Sequence, residues 1–231
     1  MLCCINNTLN HLTPATVSIK LLDRLEKLVQ DWTVLHANGS QLLGSLSNLH
    51  QQRKLTWSFY KPATPASDDY SNSTNASMDL DVQLASHPAI VPPFLQLFPC
   101  VIDRLIMKQT CSLEKIMSSL DELVDDYRKT VNTMQALTKD AHAKSLSSLY
   151  GKVFLSTADL PTFLAADWID TIVAGYQREL LFKEDLISKL DLRMDGNIDV
   201  TRRQWEVTQW LDLKLEVAVR DRVKLAKQTC R

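Results

Sequence analysis

Residues 21–49 read LLDRLEKLVQDWTVLHANGSQLLGSLSNL, and their spacing decides the fold. Leu21, Leu25, Leu28, Trp32, Leu35, Gly39, Leu42, Leu46 and Leu49 recur at alternating three- and four-residue intervals. That repeat keeps side chains on one side of an α-helix and scatters them over both faces of a strand. Every position except Gly39 is large and apolar, which makes a narrow seam of coiled-coil type over about four heptads. Gly39 interrupts it, as a kink or as a place where another helix crosses closely. Thr13-Pro14 supplies the start, a cap residue followed by a proline whose missing N–H costs nothing in a first helical turn. Arg53 and Lys54 mark the fading of the pattern, so the N-terminal segment and first helix are assigned to 1–57.

Downstream the composition changes. Lys61-Pro-Ala-Thr-Pro-Ala-Ser-Asp-Asp-Tyr-Ser-Asn-Ser-Thr-Asn is rich in Pro, Ser, Asn and Asp. Such a stretch buries too little apolar surface to offset ordering entropy, and 58–93 is expected to be a disordered insert. The three-and-four spacing resumes at Phe98, Ile102, Leu105, Gln109, Leu113, Ile116, Leu120, Leu123, Tyr127, Val131 and Met134. This predicts a second long helix from Pro99 to about Leu149, either continuous or broken near Thr138 to Ser148. Leu160-Pro161 opens a third helix, whose stripe is Leu164, Trp168, Ile169, Ile172, Val173, Tyr176, Leu180, Ile187 and Leu190. Asp195-Gly196-Asn197 reads as a turn. Leu211, Leu213, Leu215, Val217 and Val219 alternate as a strand would, yet Val200, Val207, Leu211, Leu215 and Ala218 fit a helix and Glu216 with Arg220 makes a helical ion pair. With no second strand to pair with, a helix is expected. Residues 94–231 therefore complete one all-α architecture, an elongated bundle of about four helices with coiled-coil-like seams.

Only 5 of 231 residues are glycine, against a usual ~7%. Doubly wound and barrel enzymes spend glycine at phosphate turns, so this scarcity also favours long helices. Net charge is −1, which provides no global field for nucleic acid, and no direct sequence-specific contact with it is expected. The start Met1-Leu-Cys-Cys-Ile-Asn lacks a basic, apolar leader, and Pro88 to Ile102 is too short and proline-rich to cross a bilayer, so no membrane association is expected. The Asn-x-Ser/Thr triplets at Asn6, Asn38, Asn72 and Asn75 are then chance matches. Cys3, Cys4, Cys100, Cys111 and Cys230 are odd in number and lack metal spacing, which suits a reducing compartment.

No phosphate loop, HExxH, paired CxxC or GxSxG stands in the chain, and Gly151-Lys152 lacks the upstream glycine of a phosphate cradle. Cys100 and Cys111 share a helical face about 16 Å apart at ~1.5 Å per residue, too far for one metal or a disulfide, and are expected to be buried thiols. His11, His36, His50, His87 and His142 have no nucleophile beside them. Asp121-Glu122 and Asp125-Asp126 read as a solvated helix face. The chain is accordingly expected to be no enzyme and to take no cofactor or metal. Ser118 and Ser119 each have an acid three residues on, and Ser67 precedes Asp68-Asp69, contexts that acidic-directed kinases favour. Trp32 and Trp168 lie on apolar stripes and are expected in the core. Trp205 and Trp210 stand five apart, on different faces of one helix, so one of them is expected to meet a partner. Arg220, Arg222, Lys224, Lys227 and Arg231, against Asp221 alone, complement a helix C-terminus or an acidic partner.

Three stretches, in order, carry a resemblance. Asp31-Trp32 followed by Leu42-Leu43-Gly44-Ser45-Leu46-Ser47-Asn48-Leu49 resembles the first helix of the AIRIM-type ribosome maturation factors, with their LLSSLSNL run. Phe98-Pro99 followed by Asp103-Arg104-Leu105-Ile106-Met107-Lys108-Gln109 is similar to that family's FP and basic-apolar stretch ending in KQ. Trp168-Ile169 with Tyr176-Gln177-Arg178-Glu179-Leu180-Leu181-Phe182-Lys183 resembles its third helix, and is nearer still to YRKELLLK of the sister CINP family. The insert matches neither family, and the segment with Trp205 and Trp210 departs from the AIRIM pattern. The resemblance implies a non-catalytic adaptor, cytoplasmic and nuclear, that pairs with a sister helical (CINP-like) subunit on a hexameric AAA+ ATPase. That assembly matures precursors of the large ribosomal subunit, and has been linked to replication; a CINP-like subunit tied to the cell cycle is the alternative. The same resemblance suggests phosphorylation at Ser67 or Ser118. Tyr176, Arg178, Glu179 and Lys183, with Trp205 and Trp210, are the expected partner-binding residues, although Tyr176 and Leu180 suit the chain's own core equally well. A helical tether in some other complex is the remaining reading.

Overall fold

A computed structural model describes residues 14–60, 98–149, 160–193 and 196–229. Within them are five helices and no strand: α1 (Pro14–Tyr60), α2 (Pro99–Leu149), α3 (Thr162–Ser188), α4 (Asn197–Glu206) and α5 (Leu213–Thr229). The all-α expectation holds. The first helix runs on through Ser58 to Tyr60, past the expected boundary at 57. The rest of the expected insert, 61–93, lies outside the described residues, and Ser67 with it.

Local signals explain most helix ends. Pro14 opens α1, and Pro161 stands in extended backbone (φ −64°, ψ 141°) just before α3. Gly196 takes the left-handed conformation (φ 79°) ahead of α4, which a side chain with Cβ would resist. Asp212 caps α5: its carboxylate Oδ1 accepts the Leu215 N–H at 3.0 Å, and its carbonyl accepts the Glu216 N–H at 3.1 Å. The alternating apolar residues 211–219 therefore enter a helix, and the expected final helix is two helices joined by Val207–Asp212. Of the two readings for Thr138 to Ser148, the continuous helix is the one found. Ala141 and Ser145 are buried there and hold the last turns of α2 in place.

The described residues form two compact units. One contains residues 14–43 and 119–149 with α3, α4 and α5. Its core is built from Leu21, Leu25, Trp32, Leu43, Tyr127, Met134, Leu137, Ile169, Tyr176 and Trp205, all nearly inaccessible to solvent. Helix α1 meets aromatic groups from three others in this unit. Trp32 makes edge contacts with Tyr127 of α2 (4.2 Å between ring centroids) and Tyr176 of α3 (5.0 Å), and His36 lies parallel to Trp205 of α4 at 6.3 Å. The buried arc of α1 is therefore broader than a two-helix seam. Val29 and Leu43 are buried, whereas Leu28 and Leu42, one residue earlier on the expected stripe, are only half-buried.

The second unit is residues 44–60 paired with residues 98–118. Leu46, Ile102 and Leu113 are buried in it. One buried polar link crosses the pair, in which Gln109 Nε2 donates to Thr56 Oγ1 at 3.1 Å while that hydroxyl donates to the Gln52 carbonyl at 2.9 Å. Phe98 and Leu105, expected on the buried stripe, are exposed. So are Cys100 and Cys111, which corrects their expected burial. Trp168, expected in the core of the first unit, is half-buried.

Candidate functional site

About two and a half turns of α3 determine how the link between α4 and α5 is held. Gly175, Tyr176, Glu179 and Lys183 recur at one, three and four residues, so they line one side of the helix. Lys183 is fully buried and its ammonium sits 3.2 Å from the equally buried Glu179 carboxylate. The same Nζ donates to the Trp205 carbonyl at 3.0 Å and lies 4.3 Å from the centroid of the Trp205 indole. The C-terminal end of α4, whose carbonyls have no helical partner, thus receives a buried cation. Glu179 Oε2 in turn accepts the Trp210 N–H at 3.4 Å. Gly175 lies against the Trp210 carbonyl; a Cβ there would be 2.8 Å from that oxygen, so no larger residue fits. Tyr176 Oη donates to Glu216 Oε1 of α5 at 2.9 Å.

These contacts form a ladder, and its consequence is display. Each rung fixes one point of the chain from Trp205 to Glu216. Trp210 keeps its backbone fixed from both sides while its side chain stays 45% exposed. Leu213 and Val217, one turn apart on α5, and Val207 before the turn are also half or more exposed. A large aromatic residue on a fixed turn, with aliphatic neighbours, loses little entropy on meeting a partner and suits an interface anchor.

Burial shifts the ionisable groups around the ladder. It pulls Lys183 below the usual lysine range, opposed by the Glu179 charge. It raises Tyr127, helped by Glu179, and Tyr176, helped by Glu216. Glu216 itself is raised, chiefly by burial. His36 is lowered, first by burial and then by the Lys183 charge, while Glu206 works the other way. The folded state therefore favours neutral His36 and binds fewer protons than the unfolded chain around the ordinary value of 6.5. Stability from this group is present above that pH and is lost as the solution is acidified through it. Thermal midpoints are expected to fall between about pH 7.5 and pH 5, and the His36→Gln variant to show a shallower slope. An unchanged slope in that variant would remove His36 from this account.

Of the six residues expected to bind a partner, Tyr176, Glu179, Lys183 and Trp205 lie inside the first unit. In this fold their side chains are buried and form the supports of the ladder. Trp205 is inward because Gly39 leaves room for it: the indole occupies the place a Cβ at Gly39 would need, and its Nε1–H donates to the His36 carbonyl at 3.3 Å. Arg178 and Trp210 are exposed. Leu181, three residues after Arg178, is 65% exposed and falls outside the apolar stripe that the sequence pattern picks out. Ser118 is exposed and Ser119 half-buried, both within α2. Asp121, Glu122, Asp125 and Asp126 form the solvated face expected of them, with Asp125 and Asp126 paired to Arg128 and Lys129.

A shallow depression beside α5 is lined by Leu22, Leu25, Val29, Ile172, Val219 and Val223 and rimmed by charged groups, Arg220 pairing with Glu26 at 3.1 Å. Among the described residues no group of His, Cys, Asp or Glu is arranged to hold a metal ion. No described helix is long and apolar enough to cross a membrane. No protein-family model and no curated protein matches the chain.

Proposed function

We propose that this chain is a non-catalytic adaptor, an elongated bundle with coiled-coil-like seams that pairs with a sister helical, CINP-like subunit on an AAA+ ATPase hexamer acting in large ribosomal subunit maturation. The observation that carries the reading is Trp210, displayed with Leu213 and Val217 on a turn fixed by buried side chains of α3. Exposed aliphatic positions one turn apart on a helix invite a second helix, and a neighbouring Trp is the residue type most enriched among interface hot spots. The three stretches resembling AIRIM and CINP supply the identity of the assembly. The ATPase provides the nucleotide chemistry, and contact with the pre-ribosome is indirect. The adaptor works in cytoplasm and nucleus, with Ser67, Ser118 and Ser119 as sites for acidic-directed phosphorylation.

Affinity purification with mass spectrometry tests this. The full chain is expected to retain an AAA+ ATPase and a sister helical protein, and Trp210→Ala with Leu213→Asp is expected to reduce recovery of the sister protein about tenfold. Circular dichroism of the same variant shows whether its helices persist. Recovery of neither protein, with self-association in their place, would return the chain to the class of helical tethers.

A further inference from the structure

The second unit carries a surface of a different kind. Phe98, the residue before α2 whose carbonyl accepts the Val101 N–H, and Val101 and Leu105 within the helix follow one another at three and four residues and are 55%, 43% and 44% exposed. Ile102, Gln109 and Leu113, which face the other half of the unit, are buried on the adjoining side. Next to the apolar row, at four-, three- and four-residue steps, run Arg104, Lys108, Cys111 and Lys115, all exposed. The acids of this stretch, Asp103 and Glu114, project about 100° further round the helix on its far side, at roughly 100° per residue. The helix thus presents an apolar row flanked by a basic one.

The basic row is also uncompensated. In the first unit some cations are paired, Arg24 with Asp140, Arg128 with Asp125 and Glu184, Lys144 with Asp140, Arg220 with Glu26 and Lys227 with Asp23, while others such as Lys20, Lys27, Arg178 and Lys214 make no ion pair among the described residues. Among the described residues, Arg104, Lys108 and Lys115 make no ion pair. The whole chain has a net charge of −1, so this local excess of cations stands against the balance of the molecule.

We infer that this face of residues 98–115 is a docking surface for an acidic amphipathic helix of a partner protein. An apolar row beside a charged row, both at heptad-like spacing, is the pattern one helix presents to another, where the flanking charges select the partner's sign. A nucleic acid would use the cations and leave Phe98, Val101 and Leu105 in water, whereas an acidic helix satisfies both rows. This surface lies in the other unit from Trp210 and does not depend on which assembly the chain serves.

The probe is a fluorescein-labelled helical peptide with Leu at the a and d positions and Glu at e and g. Its counterpart carries Lys at e and g, and in each the like charges discourage self-pairing. The full chain is expected to bind the Glu peptide with a Kd on the order of 10 µM. Binding should weaken with added salt, and the Lys peptide should bind at least about tenfold less well. The variant R104E/K108E/K115E should reverse the preference, and its gain of the Lys peptide shows that the surface is still folded. Equal binding of both peptides, no binding of the Glu peptide, an unaltered preference in the variant, or tighter binding of a single-stranded RNA oligomer would each overturn the inference.

Discussion

Replacing Lys183 by Met is expected to cost about 3–5 kcal/mol of folding stability, the usual loss when one member of a buried ion pair is removed. The substitution keeps the aliphatic length of the side chain, so it adds little cavity. It leaves the Glu179 carboxylate buried without its cation and takes the Nζ donor from the Trp205 carbonyl. Urea denaturation checks the size of the loss. The informative partner is Lys183→Met with Glu179→Gln, which removes both charges and retains an acceptor for the Trp210 N–H. That double variant should recover most of the lost stability, because an uncompensated charge, and not the missing attraction, carries most of the cost. A single Lys183→Met variant as stable as the parent would show that the ammonium is solvated and the ladder is not closed.

The same pair shows what was legible in the sequence and what was not. Glu179 and Lys183 stand four apart with the acid first, the pattern of an exposed helical ion pair, and nothing local marks them as buried. What encloses them is Trp205, twenty-two residues downstream of Lys183, at a place fixed only once α4 has folded back. The helical class, the openings at Pro14 and Pro161 and the starts of α2 and α3 were readable because each rests on spacing or a single residue type. The phase of the α1 seam was not. Leucine spacing selects Leu28 and Leu42, yet α1 contacts α2, α3 and α4 at once, and the wider arc takes in Val29 and Leu43. Cys100 and Cys111 were misplaced for a related reason. Cysteine is buried more often than most residues, but here both fall on the outer side of a two-helix unit with too few layers to cover them. Asp212 was not read as a cap, because the expected final helix ran straight through it.

The break at Gly39 in a row of leucines was the one residue whose oddness pointed across the fold. Two explanations stood open, a kink and a close crossing, and the Trp205 ring filling the space of the missing Cβ selects the second. A sign change follows. Trp205→Ala alone should lose about 3–5 kcal/mol, the usual penalty for emptying the site of a buried aromatic ring. Gly39→Ala in the intact protein should lose about 1–3 kcal/mol, because the added methyl drives the indole from its place and from the His36 carbonyl. Made on top of Trp205→Ala, the same Gly39→Ala change should gain up to about 1 kcal/mol, since alanine is the better helix former and the ring is no longer in its way. A double-mutant cycle by chemical denaturation measures this coupling directly. If Gly39→Ala cost the same in both backgrounds, the glycine would have some other purpose and Trp205 would not be the residue for which it makes room.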